Sequence, residues 1–119
     1  MPEKARVFIA EDEKDWQQRI ERNLKRSEHE VVLTAETLAE ALRALDRFEE
    51  LQVQVATLDG NLRGKYSYGL DGREVSLAIR SRFPNVKIVG LSSDKFRGEA
   101  DIELNKADTF KLGEVVANL

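Results

Sequence analysis

Residues 56–64 read "ATLDGNLRG": an apolar run broken off at Asp59 and followed by two glycines, an asparagine and an arginine. Taken alone, Asp-Gly after such a run is a turn dipeptide. Whether Asp59 merely opens a turn or holds a carboxylate out at a sheet edge depends on what the rest of the chain builds around it. The run before it, "VQVATL" (53–58), has the length and β-branched content of a buried strand.

Four more runs resemble it: "RVFIA" (6–10), "EVVLTA" (30–35), "VKIVGL" (86–91) and the shorter "IELN" (102–105). Between them the period changes from strand-like to helical. Trp16, Ile20 and Leu24 recur every fourth residue among charges, predicting a first helix with one buried face. Thr37 and Glu40 form a capping-box pattern ahead of Leu38, Ala41, Leu42, Leu45 and Phe48. Val75, Ala78, Ile79 and Phe83 mark a third helix stopped by Pro84 and Asn85. Phe110, Leu112, Val115, Val116 and Leu119 line a closing helix. "SSDKFRGEAD" (92–101) has too few apolar residues for a full amphipathic helix and reads as a loop or a single turn.

Strands alternating with helices through short connections predict an α/β fold, a parallel sheet covered on both faces. Right-handed crossovers narrow the topologies for five strands. A three-layer flavodoxin-like sandwich of order 2-1-3-4-5 is the common one at this length.

The 119 residues suit one domain, 1–119, with no second domain expected. Lysine and arginine number 19 against 22 acids, for a net charge of -3 with the signs interleaved, which offers no basic stripe to nucleic acid or anionic lipid. No apolar span for a membrane is present. Cysteine is absent, which excludes a disulfide framework and thiolate metal sites. Met1 leads into Pro-Glu-Lys without a signal-peptide core, so the expected location is the cytoplasm.

In a parallel sheet of this kind, sites form beyond the carboxyl ends of the strands. Strand one is followed by Glu11 and Asp12, strand three by Asp59, strand four by Ser92 and Ser93, and strand five by Lys106. The fold would therefore gather three carboxylates, a hydroxyl and an ammonium at one rim, although almost fifty residues separate Asp12 from Asp59. Carboxylates so close repel, and a hard divalent cation is the natural compensator. Magnesium takes oxygen ligands and commonly sits on one or two carboxylates beside a phosphate. With a cation and a lysine offsetting charge on the phosphoryl oxygens, a carboxylate can attack phosphorus. Asp59 is the expected nucleophile.

The acidic pair in "FIAEDE", the aspartate in "TLDGNL", the hydroxyl in "GLSSD" and the lysine in "LNKAD" together resemble a bacterial response-regulator receiver domain, and "LDGREVSLAIRSRFPNVKIVGLSS" is similar to that family's third helix and fourth strand. The resemblance implies that Asp59 accepts a phosphoryl group from a histidine kinase or phosphotransfer protein. It further implies that Asp12 binds Mg2+ directly, that Glu11 holds a metal-bound water, and that the backbone carbonyl of Asn61 completes the metal shell. Ser92 would turn toward a phosphoryl oxygen, with Lys106 paired to it.

The sequence departs from the family's pattern in four places. Ala107 stands where proline, often joined by a cis bond, usually follows the lysine. Glu103 stands where a switching Tyr or Phe is common. Thirteen residues lie between Ser92 and Lys106, roughly eight fewer than the pattern, or about two turns at 3.6 residues per turn, so the helix between strands four and five is expected to be short or absent. An insertion, "RGKYSYG" (63–69), brings Tyr66 and Tyr68 beside the acceptor as a possible contact patch.

The expected function is two-component signalling by a phosphoacceptor that is not a turnover enzyme and that presents its surface to a downstream protein partner. A single-domain regulator, a relay intermediate and a fragment of a longer regulator all fit the chain's end. The alternative is a receiver-like interaction module that no longer switches, favoured by Glu103, Ala107 and the shortened segment. A hydrolase with an aspartyl nucleophile is disfavoured by Asn61, where such phosphatases place a second aspartate. Trp16 reads as a core anchor whose place one turn past Asp12 would let it report metal binding. His29 reads as a turn residue, without a second histidine for a zinc or phosphohistidine role.

Overall fold

The computed structural model of the chain describes residues 4–62, 70–93 and 95–119. Tyr66 and Tyr68 of the insertion lie outside the described residues. In chain order the elements are β1 (Arg6–Ala10), α1 (Lys14–Arg26), β2 (Glu30–Ala35), α2 (Leu38–Ala44), β3 (Val55–Asp59), α3 (Leu70–Arg82), β4 (Lys87–Ser92), β5 (Ile102–Asn105) and α4 (Leu112–Ala117). Short 3-10 turns follow α2 at Leu45–Arg47 and precede α4 at Lys106–Lys111. The five strands form one sheet of order β2-β1-β3-β4-β5, and every neighbouring pair is parallel. This is the flavodoxin-like topology expected from the alternating pattern.

Strand periodicity divides the core into two layers. Phe8 and Ala10 of β1 and Ala56 and Leu58 of β3 pack on one face with Phe48, Val75 and Ile79. Val7 and Ile9 of β1 and Val55 of β3 pack on the other, against Ile20 and Leu24 of α1 and Leu112 and Val116 of α4. Stepping two residues at a time along the second set leads from Ile9 to Glu11, from Val55 to Asp59 and from Leu104 to Lys106. The alternation that fills the core therefore aims all three charged groups toward the α1 side of the sheet.

The helix starts follow their local chemistry. Thr37 Oγ1 accepts from Glu40 N at 3.1 Å, while Glu40 Oε1 accepts from Glu36 N at 3.0 Å, one residue earlier than a strict capping box. β3 begins at Val55 rather than Val53, because Val53 N closes a turn onto Phe48 O and Gln52 adopts φ 54°. Phe110, expected on the buried face of the closing helix, is 68% exposed. The six residues before α4 wind as a 3-10 helix with about three residues per turn, which rotates Phe110 out of phase with Leu112 and Val116.

The described residues between β4 and β5 contain no helix. Phe96 takes its place as a plug, 2% exposed. Its ring lies against three glycines: a methyl at Gly72 would meet Phe96 Cε1 at 2.9 Å, one at Gly98 would meet Cε2 at 2.8 Å, and one at Gly90 would overlap the ring. The backbone around the plug is tied down at several points. Glu103 Oε1 accepts from Phe96 N at 3.3 Å, Ser76 Oγ from Glu99 N at 2.9 Å and Asp101 Oδ2 from Ile88 N at 2.7 Å. Among the described residues no helix is long and apolar enough to cross a membrane.

Candidate functional site

Three loops converge where β1, β3 and β5 end. Glu11, immediately after β1, is fully buried, and Asp59, the last residue of β3, is 6% exposed. Asp12 is half-buried beside them. One carboxylate oxygen from each of Glu11, Asp12 and Asp59 lies within 4.8 Å of the others. Lys106, 8% exposed at the end of β5, brings its Nζ to 3.0 Å from Glu11 Oε1 and 3.3 Å from Asp59 Oδ2. Residues 11 and 106 thus stand at ion-pair distance because β1 and β5 lie parallel with their carboxyl ends at the same rim.

Lys106 is held by a different turn from the one that a following proline would make. Among the described residues no peptide bond is cis. Asn105 Oδ1 accepts from Ala107 N at 2.9 Å, an Asx turn that requires the N–H a proline lacks. Thr109 Oγ1 donates to Lys106 O at 2.6 Å and closes the next turn.

The electrostatics follow from crowding. Burial, reinforced by the charge of Asp59, pushes the Glu11 carboxyl up to about 8. Burial also raises Asp59, against the opposing pull of Lys106. For Lys106 burial works downward, but the two carboxylates outweigh it and hold the ammonium above the usual lysine range. Glu11 Oε2 accepts from Glu13 N at 3.1 Å, and the buried Glu11 Oε1 has the Lys106 ammonium at 3.0 Å as its partner. A pocket in which the carboxylates of Glu11, Asp12 and Asp59 meet beside the single ammonium of Lys106 fits a hard divalent ion.

The remaining sequence-selected residues sit at the same rim. Asp59 pairs with Leu91 in the sheet, so Ser92 follows one residue beyond it on β4. Asn61 is exposed, with its N–H 3.5 Å from Asp59 Oδ1. Two arrangements were not apparent in the sequence. Trp16 is half-buried rather than a core anchor, with its ring centroid 5.3 Å from Lys106 Nζ. Its spacing one turn past Asp12 was the available signal. His29 is 3% exposed: its Nδ1 accepts from Ala5 N at 2.9 Å and its Nε2 lies 2.9 Å from Gly113 O, joining the start of β1 to α4. Nothing in its spacing signalled that role.

A doubly wound five-stranded parallel sheet with buried acids and a lysine at its carboxyl rim defines the receiver-domain architecture of response regulators. No family model and no curated protein sequence matches the chain, but solved structures do. The receiver domain of the putative response regulator NarL from Mycobacterium tuberculosis matches with 25% identity and a TM-score of 0.72, covering 98% of both chains. The RcsB response regulator of Salmonella typhimurium matches with 18% identity and a TM-score of 0.76 over 97% of this chain, which spans 59% of RcsB. The Mn2+-bound form of response regulator Rcp1 matches with 22% identity and a TM-score of 0.69, covering 97% of this chain and 93% of that one. The chain has the receiver fold over essentially its whole length.

Proposed function

We propose that the chain is a magnesium-dependent phosphoacceptor of two-component signalling, charged on Asp59 by a histidine kinase or phosphotransfer protein. The observation that carries this reading is the meeting of Glu11, Asp12, Asp59 and Lys106 at the carboxyl rim of the sheet. Glu11, Asp12, Asp59 and the Asn61 carbonyl would hold the cation, which when bound supplies positive charge against the phosphoryl oxygens.

The protein's own groups do the rest. A carboxylate oxygen of Asp59 attacks phosphorus in line with the donor nitrogen. The O–P bond forms as the P–N bond breaks, and the electron pair leaves with the donor's imidazole, which takes a proton from water. Lys106 offsets the charge on a phosphoryl oxygen and the Ser92 hydroxyl donates to another. The chain acts as an acceptor rather than a turnover enzyme, works in the cytoplasm, and signals by protein–protein contact without touching nucleic acid or membrane.

Intact-mass analysis tests this directly. Incubated with Mg2+ and acetyl phosphate, the chain should gain one phosphoryl group that is lost in base and absent from Asp59→Asn. No adduct in the wild type would sink the reading. The second reading, an interaction module that has stopped switching, is favoured by Glu103, which ties down Phe96 N in the plug that replaces the missing helix. An adduct that leaves the amide exchange of residues 95–103 unchanged would favour it.

A further inference from the structure

Lys106 has a third neighbour besides its two carboxylates. The chain's single tryptophan stands on α1, and Lys106 Nζ lies over its ring, 5.3 Å from the centroid. Arg19 Cζ, one turn further along α1, lies 4.8 Å from the centroid of the same ring. A lysine side chain is a flexible four-carbon stem with a point charge at its tip. Two buried carboxylates alone would draw that tip into the space where a cation and a phosphoryl group must sit. An aromatic face attracts the ammonium without neutralising it, and so holds it at the edge of the acidic pocket instead of its centre.

We propose that Trp16 is a positioning residue for Lys106: its indole face holds the ammonium beside Asp59, clear of the cation's place and ready for a phosphoryl oxygen. Arg19, stacked on the same ring, steadies the indole from α1. The consequence for phosphoryl binding rests on the phosphoacceptor reading. The placing of Lys106 by the ring does not.

The test uses the full chain and its Trp16→Phe and Trp16→Leu variants, each first confirmed folded by thermal melting. Without metal, ring currents should shift the Lys106 Cε protons upfield in the wild type, less so in Trp16→Phe, and not in Trp16→Leu. With Mg2+ present, beryllofluoride, a phosphoryl mimic, should bind about fivefold more weakly to Trp16→Leu and within about twofold of wild type to Trp16→Phe. Binding of Mg2+ alone should change by less than about twofold, since the role proposed for the ring is to place Lys106 and not the carboxylates. Unshifted Lys106 protons in the wild type, or folded Leu and Phe variants that bind the mimic equally, would overturn the proposal. Shifted protons in a wild type that binds no beryllofluoride would instead defeat the phosphoacceptor reading and the catalytic consequence drawn from it, leaving the ring's hold on Lys106 established.

Discussion

Replacing Phe96 with alanine removes a ring that is 2% exposed and packed on the backbone of Gly72, Gly90 and Gly98. Losing a buried phenylalanine costs about 3–5 kcal/mol through lost transfer energy and the cavity left behind. For 119 residues, an unfolding entropy of about 2.1 cal/mol/K per residue converts that into a Tm fall of roughly 12–20 °C. Gly90→Ala should have a related effect by the opposite route. Gly90 is paired to Leu58 on one side and Glu103 on the other, so the strand cannot recede and the ring must leave its slot. Its cost should be about 2–4 kcal/mol, within the range for overpacking and partial loss of the ring's burial. In the Phe96→Ala background the methyl instead enters the vacated space, where alanine in a strand is favoured over glycine by about 0.5–1 kcal/mol. Urea denaturation followed by circular dichroism would complete the double-mutant cycle, with an expected coupling of at least about 2 kcal/mol. Two costs that add to within about 0.5 kcal/mol would refute the claim that Phe96 is the plug replacing the helix.

Three further outcomes are expected. Mg2+ at a hundred times its dissociation constant should stabilise the wild type by about 2.7 kcal/mol and Asp59→Asn by much less, read as a metal-dependent Tm shift. For Asp101, burial acts upward, but the Ile88 amide and the Arg80 guanidinium at 2.9 Å together hold its carboxyl below the usual aspartate value. Its stabilising contribution is therefore present above the unfolded pKa and is lost as pH falls through the lower folded one. Asp101→Asn should cost about 1.5–3 kcal/mol at pH 7 in denaturant titrations, with the gap to wild type closing as pH falls below the usual aspartate range. Gln52, at φ 54°, pays for a left-handed backbone; Gln52→Gly should raise stability by about 0.5 kcal/mol, the strain relieved being partly offset by unfolded-chain entropy.

Strand positions were legible because hydrophobic period is a local property: β1, β2 and β5 fall on their expected residues, and β3 and β4 differ by one or two at the ends. That the described residues between β4 and β5 hold no helix was readable for the same reason, since the ten residues 92–101 have too little apolar content to form a packed one. The plug was not readable. Phe96 lies far in sequence from Gly72, and nothing local to either says that one lies on the other.

The amino-acid order by itself determined which groups end each strand, since a carboxylate or lysine after an apolar run is written into the chain. It also set their common facing, because alternate residues of a strand share a side. Only the tertiary structure decided how close they come and what they then feel. Burial raises the Glu11 and Asp59 carboxyls only once β1 and β3 are side by side, and Lys106 answers them only when β5 closes the sheet. Trp16 joins that group through the packing of α1 against the sheet's second face, a contact made across ninety residues that no sequence period records.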